Sequence, residues 1–184
     1  MKIGELVGYK NKPEYQAVRD SDYITALIKN LENLGYKKYH LGSGIFGSVY
    51  ARPEDNFVVK IFQPDRGYKR YLDYMQSNTM NPYVPKLRGK PIKLPNNFTL
   101  VRLEKLTPID SALHNEIMYL LKPKDDAMYK SIRKSFEGKY PQFLNFLHDI
   151  QNIAQRGSGF ALDIHHGNIM MRNNLPVITD PFVG

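Results

Sequence analysis

The sequence of 184 residues contains no cysteine. Disulfides, cysteine–zinc sites, iron–sulfur clusters and a thiol nucleophile are therefore excluded, and the composition fits a reducing compartment. No run of eighteen apolar residues occurs, so no transmembrane helix and no membrane partner are expected. The opening residues Met1-Lys2-Ile3-Gly4-Glu5 lead into polar Lys10-Asn11-Lys12-Pro13-Glu14 without the apolar core of a signal peptide, so the expected location is the cytoplasm. Internal repeats and low-complexity runs are absent. Acidic residues are scarce: 26 Lys and Arg against 18 Asp and Glu leave a formal charge of +8. A surplus of that sign suits an acidic partner or a phosphate-bearing ligand. Nucleic acid ranks last among these partners, because no aromatic–basic recognition motif accompanies the charge. With 42% hydrophobic and 24% charged residues, the chain should fold into one domain or one compact two-lobed unit.

Residues 1–35 read as a helical extension. Ser21-Asp22 looks like a helix start, and Tyr23, Ile24, Leu27, Ile28, Leu31 and Leu34 recur at helical spacing until Gly35. Residues 36–62 change period. Ser48-Val49-Tyr50-Ala51 and Phe57 to Phe62 read as strands joined by the turn Arg52-Pro53-Glu54-Asp55-Asn56. Tyr68 to Met75 reads as a helix. The prolines at 82, 85, 91 and 95 keep Asn81 to Pro95 extended or looped, and Phe98 to Leu103 is a further strand. The remainder is mainly helical, with Pro141 suited to a first helical position, until Gly157-Ser158-Gly159. Short strands at Ile169-Met170-Met171 and Val177-Ile178-Thr179 flank the turn Arg172-Asn173-Asn174. Strands first, then helices, then a hairpin predict an α+β protein with a sheet-rich lobe over about 36–106 and a helical lobe over about 107–184.

Three groups of residues carry chemistry. Gly42-Ser43-Gly44-Ile45-Phe46-Gly47-Ser48-Val49 is a G-x-G-x-x-G-x-V run, whose glycines let backbone N–H groups approach phosphate oxygens. A strand follows it rather than a helix, so it reads as a hairpin lid. Lys60, thirteen residues after Gly47, ends the apolar run Val58-Val59 and can neutralise phosphates. Asp163 and Asn168 stand five residues apart, and Asp180 lies at the end of a strand twelve residues later. One carboxylate can orient the attacking hydroxyl, while an amide oxygen and a second carboxylate suit Mg2+, which prefers oxygen ligands. His165-His166 lacks a third ligand at a recognised zinc spacing.

The lid, the strand lysine, D-x-x-x-x-N and a later strand-end aspartate follow the order of the protein-kinase fold. Over residues 36–182 the sequence resembles the protein-kinase superfamily and a minimal two-lobed, kinase-like fold with a truncated helical C-lobe. More narrowly, Phe160-Ala161-Leu162-Asp163-Ile164-His165-His166-Gly167-Asn168-Ile169-Met170 and Pro176-Val177-Ile178-Thr179-Asp180-Pro181 resemble the early serine/threonine kinases of T-odd bacteriophages, the autographiviruses.

That resemblance implies transfer of the ATP γ-phosphate to hydroxyls of host proteins in the bacterial cytoplasm, with host RNA polymerase one expected target class, to redirect host gene expression. It implies Asp163, Lys60 and His165 as catalytic residues. Gly42, Ser43, Gly44, Ile45, Phe46, Gly47 and Val49 would form the lid, Lys60 would hold phosphates, and Glu104 to Leu106 would be the hinge beside adenine. Asn168 and Asp180 would bind Mg2+.

Departures from the family pattern keep two alternatives open. No glutamate occurs between Lys60 and Glu104, and Asp73 is the only acid on the helix over 68–76. Ala161-Leu162 replaces His-Arg before Asp163, and Asp180-Pro181-Phe182 is followed only by Val183 and Gly184. A nucleotide-binding pseudokinase that blocks a host protein would fit these departures. His165, in D-x-H-x-G-N, also resembles small-molecule phosphotransferases of the aminoglycoside type. A reduced helical lobe leaves apolar surface that a homodimer would cover.

Overall fold

A computed structural model describes residues 20–39, 47–63, 66–156 and 159–183. The chain forms two compact units, Met1–Gln63 with Arg88–Lys105 and Pro64–Leu87 with Leu106–Gly184. This division departs from the expected lobes in two places. Residues 64–87 group with the second unit, and the helix over 20–33 shares the core of the first instead of standing apart as an extension.

In the first unit, β1 (Lys37–Lys38), β2 (Gly47–Ala51), β3 (Phe57–Phe62), β4 (Ile92–Lys93) and β5 (Thr99–Glu104) form one antiparallel sheet in the order β1-β2-β3-β5-β4. The β-branched and aromatic residues of β3 suit its central place, paired with β2 and β5 on its two sides. Side chains alternate between two faces. Tyr50, Val59, Ile61 and Leu100 point to one face and meet Ile24, Leu27 and Leu31 of α1 (Asp20–Asn33), with Tyr36 and Leu94 completing the core. The spacing 24, 27, 31 is one stripe of a helix, which is why α1 lies on the sheet. Each of these side chains contributes about 1.5–3 kcal/mol by leaving water.

Gly35 stops α1. At φ 85° it donates to the Glu32 carbonyl at 2.9 Å, and Tyr36 donates to the Leu31 carbonyl at 3.0 Å. These are the two bonds of a left-handed helix cap, which glycine forms at least cost. The next turn is then tied down by Arg52. Its guanidinium lies 4.9 Å from the Tyr36 ring centroid, donates to the Leu34 carbonyl at 3.1 Å and holds Asp55 at 3.0 and 3.1 Å. The hydroxyl of Tyr36 also donates to Asp55. Hydrogen bonds from Arg52 hold the Asp55 carboxyl below its usual range, whereas burial and Asp55 push Tyr36 up to about 12. Lys105 closes the same turn by donating to the carbonyls of Arg52 and Pro53 at 2.6 and 3.2 Å.

The second unit contains α2 (Arg66–Ser77), α3 (Ser111–Leu121), α4 (Asp126–Lys139) and α5 (Phe143–Arg156). Asp110 and Asp125 cap α3 and α4, their carboxylates accepting from the backbone N–H of Leu113 at 2.9 Å and Met128 at 2.8 Å. Helix α5 begins at Phe143, two residues after the expected start at Pro141. Gln142 takes φ 69°, which a continuing right-handed helix forbids, and the Pro141 carbonyl accepts the Tyr83 hydroxyl. Tyr83, Phe136, Phe143 and Phe146 form the aromatic core, with ring centroids 5.0–6.2 Å apart. No described helix is long and apolar enough to cross a membrane.

Two outcomes test this packing. Leu31→Ala, at a fully buried site, should lower unfolding free energy by about 2–5 kcal/mol in denaturant titration, whereas Leu34→Ala on the exposed flank should change it by less than about 0.5 kcal/mol. Because the folded pKa of Asp55 is lowered, its stabilisation is present above the ordinary aspartate range near ~4 and lost as pH falls through the folded value. Acid unfolding of Asp55→Asn should therefore show a smaller loss of stability below pH ~4 than wild type.

Candidate functional site

The candidate residues divide between the two units. In the first, register sets Val49 opposite Lys60 and Lys60 opposite Val101, so these three share the face of the sheet turned away from α1. Lys60 is half-buried, with its ammonium 5.4 Å from the ring centroid of Phe62 on the same face. Gly42, Ser43, Gly44, Ile45 and Phe46 lie outside the described residues. Gly47 starts β2, and its backbone runs close to β3: an added Cβ would stand 2.6 Å from Phe62 Cβ and 2.9 Å from the Ile61 carbonyl oxygen. Close strand pairing alone thus requires the third glycine of the run. Glu104 is the last residue of β5 and is buried on the face opposite Lys60. The chain enters the second unit at Leu106, which is also buried.

Asp163, His165, Asn168 and Asp180 all belong to the second unit, where two strand pairs bring them together. In one, β7 (Ala161–Leu162) pairs with β10 (Phe182–Val183), and the Asp163 N–H donates to the Pro181 carbonyl at 2.7 Å. In the other, β8 (Ile169–Arg172) pairs with β9 (Leu175–Ile178), and the Thr179 N–H donates to the Asn168 carbonyl at 2.8 Å. Asn173 at φ 55° makes the tight turn of that hairpin. Asp180 therefore lies between a residue bonded to Asn168 and a residue bonded to Asp163. The short strand β6 (Thr107–Pro108) flanks β8.

Side-chain bonds orient the loop. Asn168 Nδ2 donates to the Asp163 carbonyl at 2.7 Å, which leaves its Oδ1 as the acceptor for another group. His165 Nδ1 accepts the Gly167 N–H at 3.1 Å, so the ring proton sits on Nε2, which stands 3.8 Å from Asp163 Oδ2. Asp163 and His165 keep 44% and 58% of their side-chain surface exposed, so an incoming substrate can reach both. The donor set is two carboxylates and an amide oxygen, the chemistry that hard divalent cations favour. Among the described residues no group of three or more His, Asp or Glu is placed to hold a metal, so an ion here depends on the Asn168 oxygen and on a ligand's own oxygens.

Several residues that support this arrangement carry no motif. The hydroxyl of Tyr71 donates to the Ile178 carbonyl from a fully buried position. Burial, with Tyr68, Tyr74 and Asp180 nearby, raises its phenol well above the usual range, so it stays a donor. Its ring meets Phe182 edge-on at 6.0 Å. Gly67 lets α2 approach β10: a Cβ there would stand 2.8 Å from Phe182 Cβ and 3.1 Å from the Phe182 carbonyl carbon. Arg172 donates to the carbonyls of Pro82 and Val84. The apolar period Tyr68, Tyr71, Leu72, Met75 announces the buried face of α2, but no sequence signal marks Gly67 or Arg172. Asp73 is exposed on the opposite side.

Neither the family models nor the curated proteins gave a match to this chain. Solved structures did. Rad53 1–466 in complex with AMP-PNP is 18% identical, with a TM-score of 0.42 over 87% of this chain and 42% of that one. PK-1, the kinase of the Cydia pomonella granulovirus, is 15% identical, with a TM-score of 0.44 over 86% and 57%. The PknI kinase domain of Mycobacterium tuberculosis is 14% identical, with a TM-score of 0.38 over 79% and 57%. The chain thus spans between 42% and 57% of the length of these structures. At these scores the likeness is distant, and the reading of the site rests on its own residues.

Gly67→Ala should destabilise the protein by about 1–3 kcal/mol in thermal or denaturant unfolding, because backbone and Cβ atoms of Phe182 must move. Tyr71→Phe should cost about 0.5–1.5 kcal/mol through the lost donor to Ile178.

Proposed function

We propose that this chain is an ATP- and Mg2+-dependent phosphotransferase of protein-kinase type. The observation that carries the reading is the pair of backbone bonds Asp163–Pro181 and Asn168–Thr179, which gathers Asp163, Asn168 and Asp180 at one edge of two short strand pairs. Phosphoryl transfer needs these three groups in separate roles. Asp163, exposed and aligned by its backbone, orients the acceptor hydroxyl and takes its proton. Asn168 Oδ1 and Asp180 are the residues that would hold Mg2+, and Lys60 would engage the nucleotide phosphates. Bound Mg·ATP supplies the phosphoryl group and offsets the charge that develops on it. Val49, together with the lid residues Gly42 to Gly47, and the hinge at Glu104 and Leu106 are assigned to the nucleotide by resemblance.

The finer reading follows the phage-kinase resemblance: the acceptors are serine or threonine hydroxyls of host proteins, RNA polymerase among them, in the bacterial cytoplasm, and a homodimer covers exposed apolar surface. For a small-molecule acceptor, the contact of His165 with Asp163 is the supporting observation. Such an acceptor needs a pocket of acids, and three of the five acids over 107–140 are otherwise engaged. Asp110 and Asp125 cap helices, and Glu137 pairs with Arg133 at 3.0 Å. The exposed position of Asp73 supports a nucleotide-binding pseudokinase, since the buried face of α2 offers no carboxylate.

Labelled ATP incubated with bacterial lysate separates these readings. Wild type should label proteins, and Asp163→Asn should lower the rate by about two to four orders of magnitude while nucleotide affinity stays within about threefold. Equal labelling by both proteins would remove Asp163 from the mechanism. Nucleotide binding without any transfer would support the pseudokinase.

A further inference from the structure

Outside the proposed site, the second unit contains a cavity of about 300 Å³ lined by Arg70, Asn152, Ile153, Arg156 and Phe160. Two helices and the segment before β7 build it. Arg70 comes from α2, and Asn152, Ile153 and Arg156 come from the last turns of α5. Arg66 lies one helical turn before Arg70 on the same face of α2, and its Nη1 stands 3.0 Å from where a Cβ on Gly159 would be, beside Phe160. Two arginines from different helices, Arg70 and Arg156, therefore line one opening, with Arg66 a turn away. No ion pair joins any of them to a described acidic side chain. Asn152 Nδ2 meets His148 at 3.1 Å with one of its two N–H groups, so the arginines are the charged donors for a ligand.

We propose that this cavity binds a phosphate monoester carried on an apolar, preferentially aromatic, group. Guanidinium forks match phosphate oxygens in paired hydrogen bonds, and two of them balance a phosphate dianion better than a single carboxylate. Ile153 and Phe160 give the cavity an apolar wall that inorganic phosphate would leave uncovered. Phe160 in turn contacts Phe182 at 5.2 Å, two residues after Asp180, so the cavity adjoins the strand that ends the proposed catalytic edge. The inference does not depend on phosphotransferase activity, because binding alone reads it.

The test is isothermal titration of the full chain, in Mg2+-free buffer with chelator, with phenyl phosphate, inorganic phosphate and benzoate. Phenyl phosphate should bind saturably and at least about fivefold more tightly than the other two. The exposed pair Arg70→Gln/Arg156→Gln should weaken it by about tenfold or more, or about 1.4 kcal/mol. Arg133→Gln/Lys134→Gln, which removes the same charge from α4, should leave it unchanged. A phosphotyrosine amide binding more tightly than phenyl phosphate would point to a peptide-borne source, and weaker binding to a small molecule; both agree with the site. No saturation by about 10 mM, equal affinity for inorganic phosphate, or an equal loss in both double variants would overturn the proposal.

Discussion

Asn168 is held at both ends, and the candidate site depends on that restraint. Its carbonyl accepts from Thr179, its side-chain amide donates to the Asp163 carbonyl, and Asp163 itself donates to Pro181. The three bonds lock the six-residue loop 163–168 to the segment that carries Asp180. They also assign the amide: with Nδ2 engaged, Oδ1 is the atom left for a cation. An aspartate at 168 could not donate to the Asp163 carbonyl, and an alanine could neither donate nor ligate.

The restraint needs a rigid support, which the second unit supplies from its aromatic residues. Tyr71 reaches under the hairpin to the Ile178 carbonyl, and Phe182 lies against Tyr71 and Phe160. The Tyr83 carbonyl accepts from the Ile178 N–H, so the end of β9 is bonded both through its N–H and through its C=O. Gly67 makes the close approach of α2 sterically feasible. In the first unit Arg52, Asp55 and Tyr36 serve a comparable purpose, fixing the β2–β3 turn to the end of α1.

Much of this was legible in the sequence where one local rule decided the outcome. The stripe Ile24, Leu27, Leu31 and the stop at Gly35 define α1, and the β-branched run at 57–62 defines β3. Asp163, Asn168 and Asp180 could be picked out by residue type and spacing. What was not legible depended on contacts between distant segments. The two-residue strands β6, β7 and β10 form only because partners exist across the fold, so no local period marks them. Pro141 looked like a helix start because proline suits that position, yet the bond from Tyr83 and the backbone of Gln142 shift the start to Phe143. Helix α1 looked like an extension because the sequence does not say which sheet face its stripe will cover. Gly47 reads from the sequence as one glycine of a hairpin lid, but that close strand pairing demands it shows only in the fold.

The central claim is that Asn168 and Asp180 hold a nucleotide-bound cation beside Asp163. Paramagnetic broadening of backbone amide signals by substoichiometric Mn·ATP tests it most directly. The account predicts that the amides of residues 163–168 and of 179–182 broaden together at the lowest Mn2+ additions. Broadening confined to one of these segments, or falling first on unrelated residues, would contradict it.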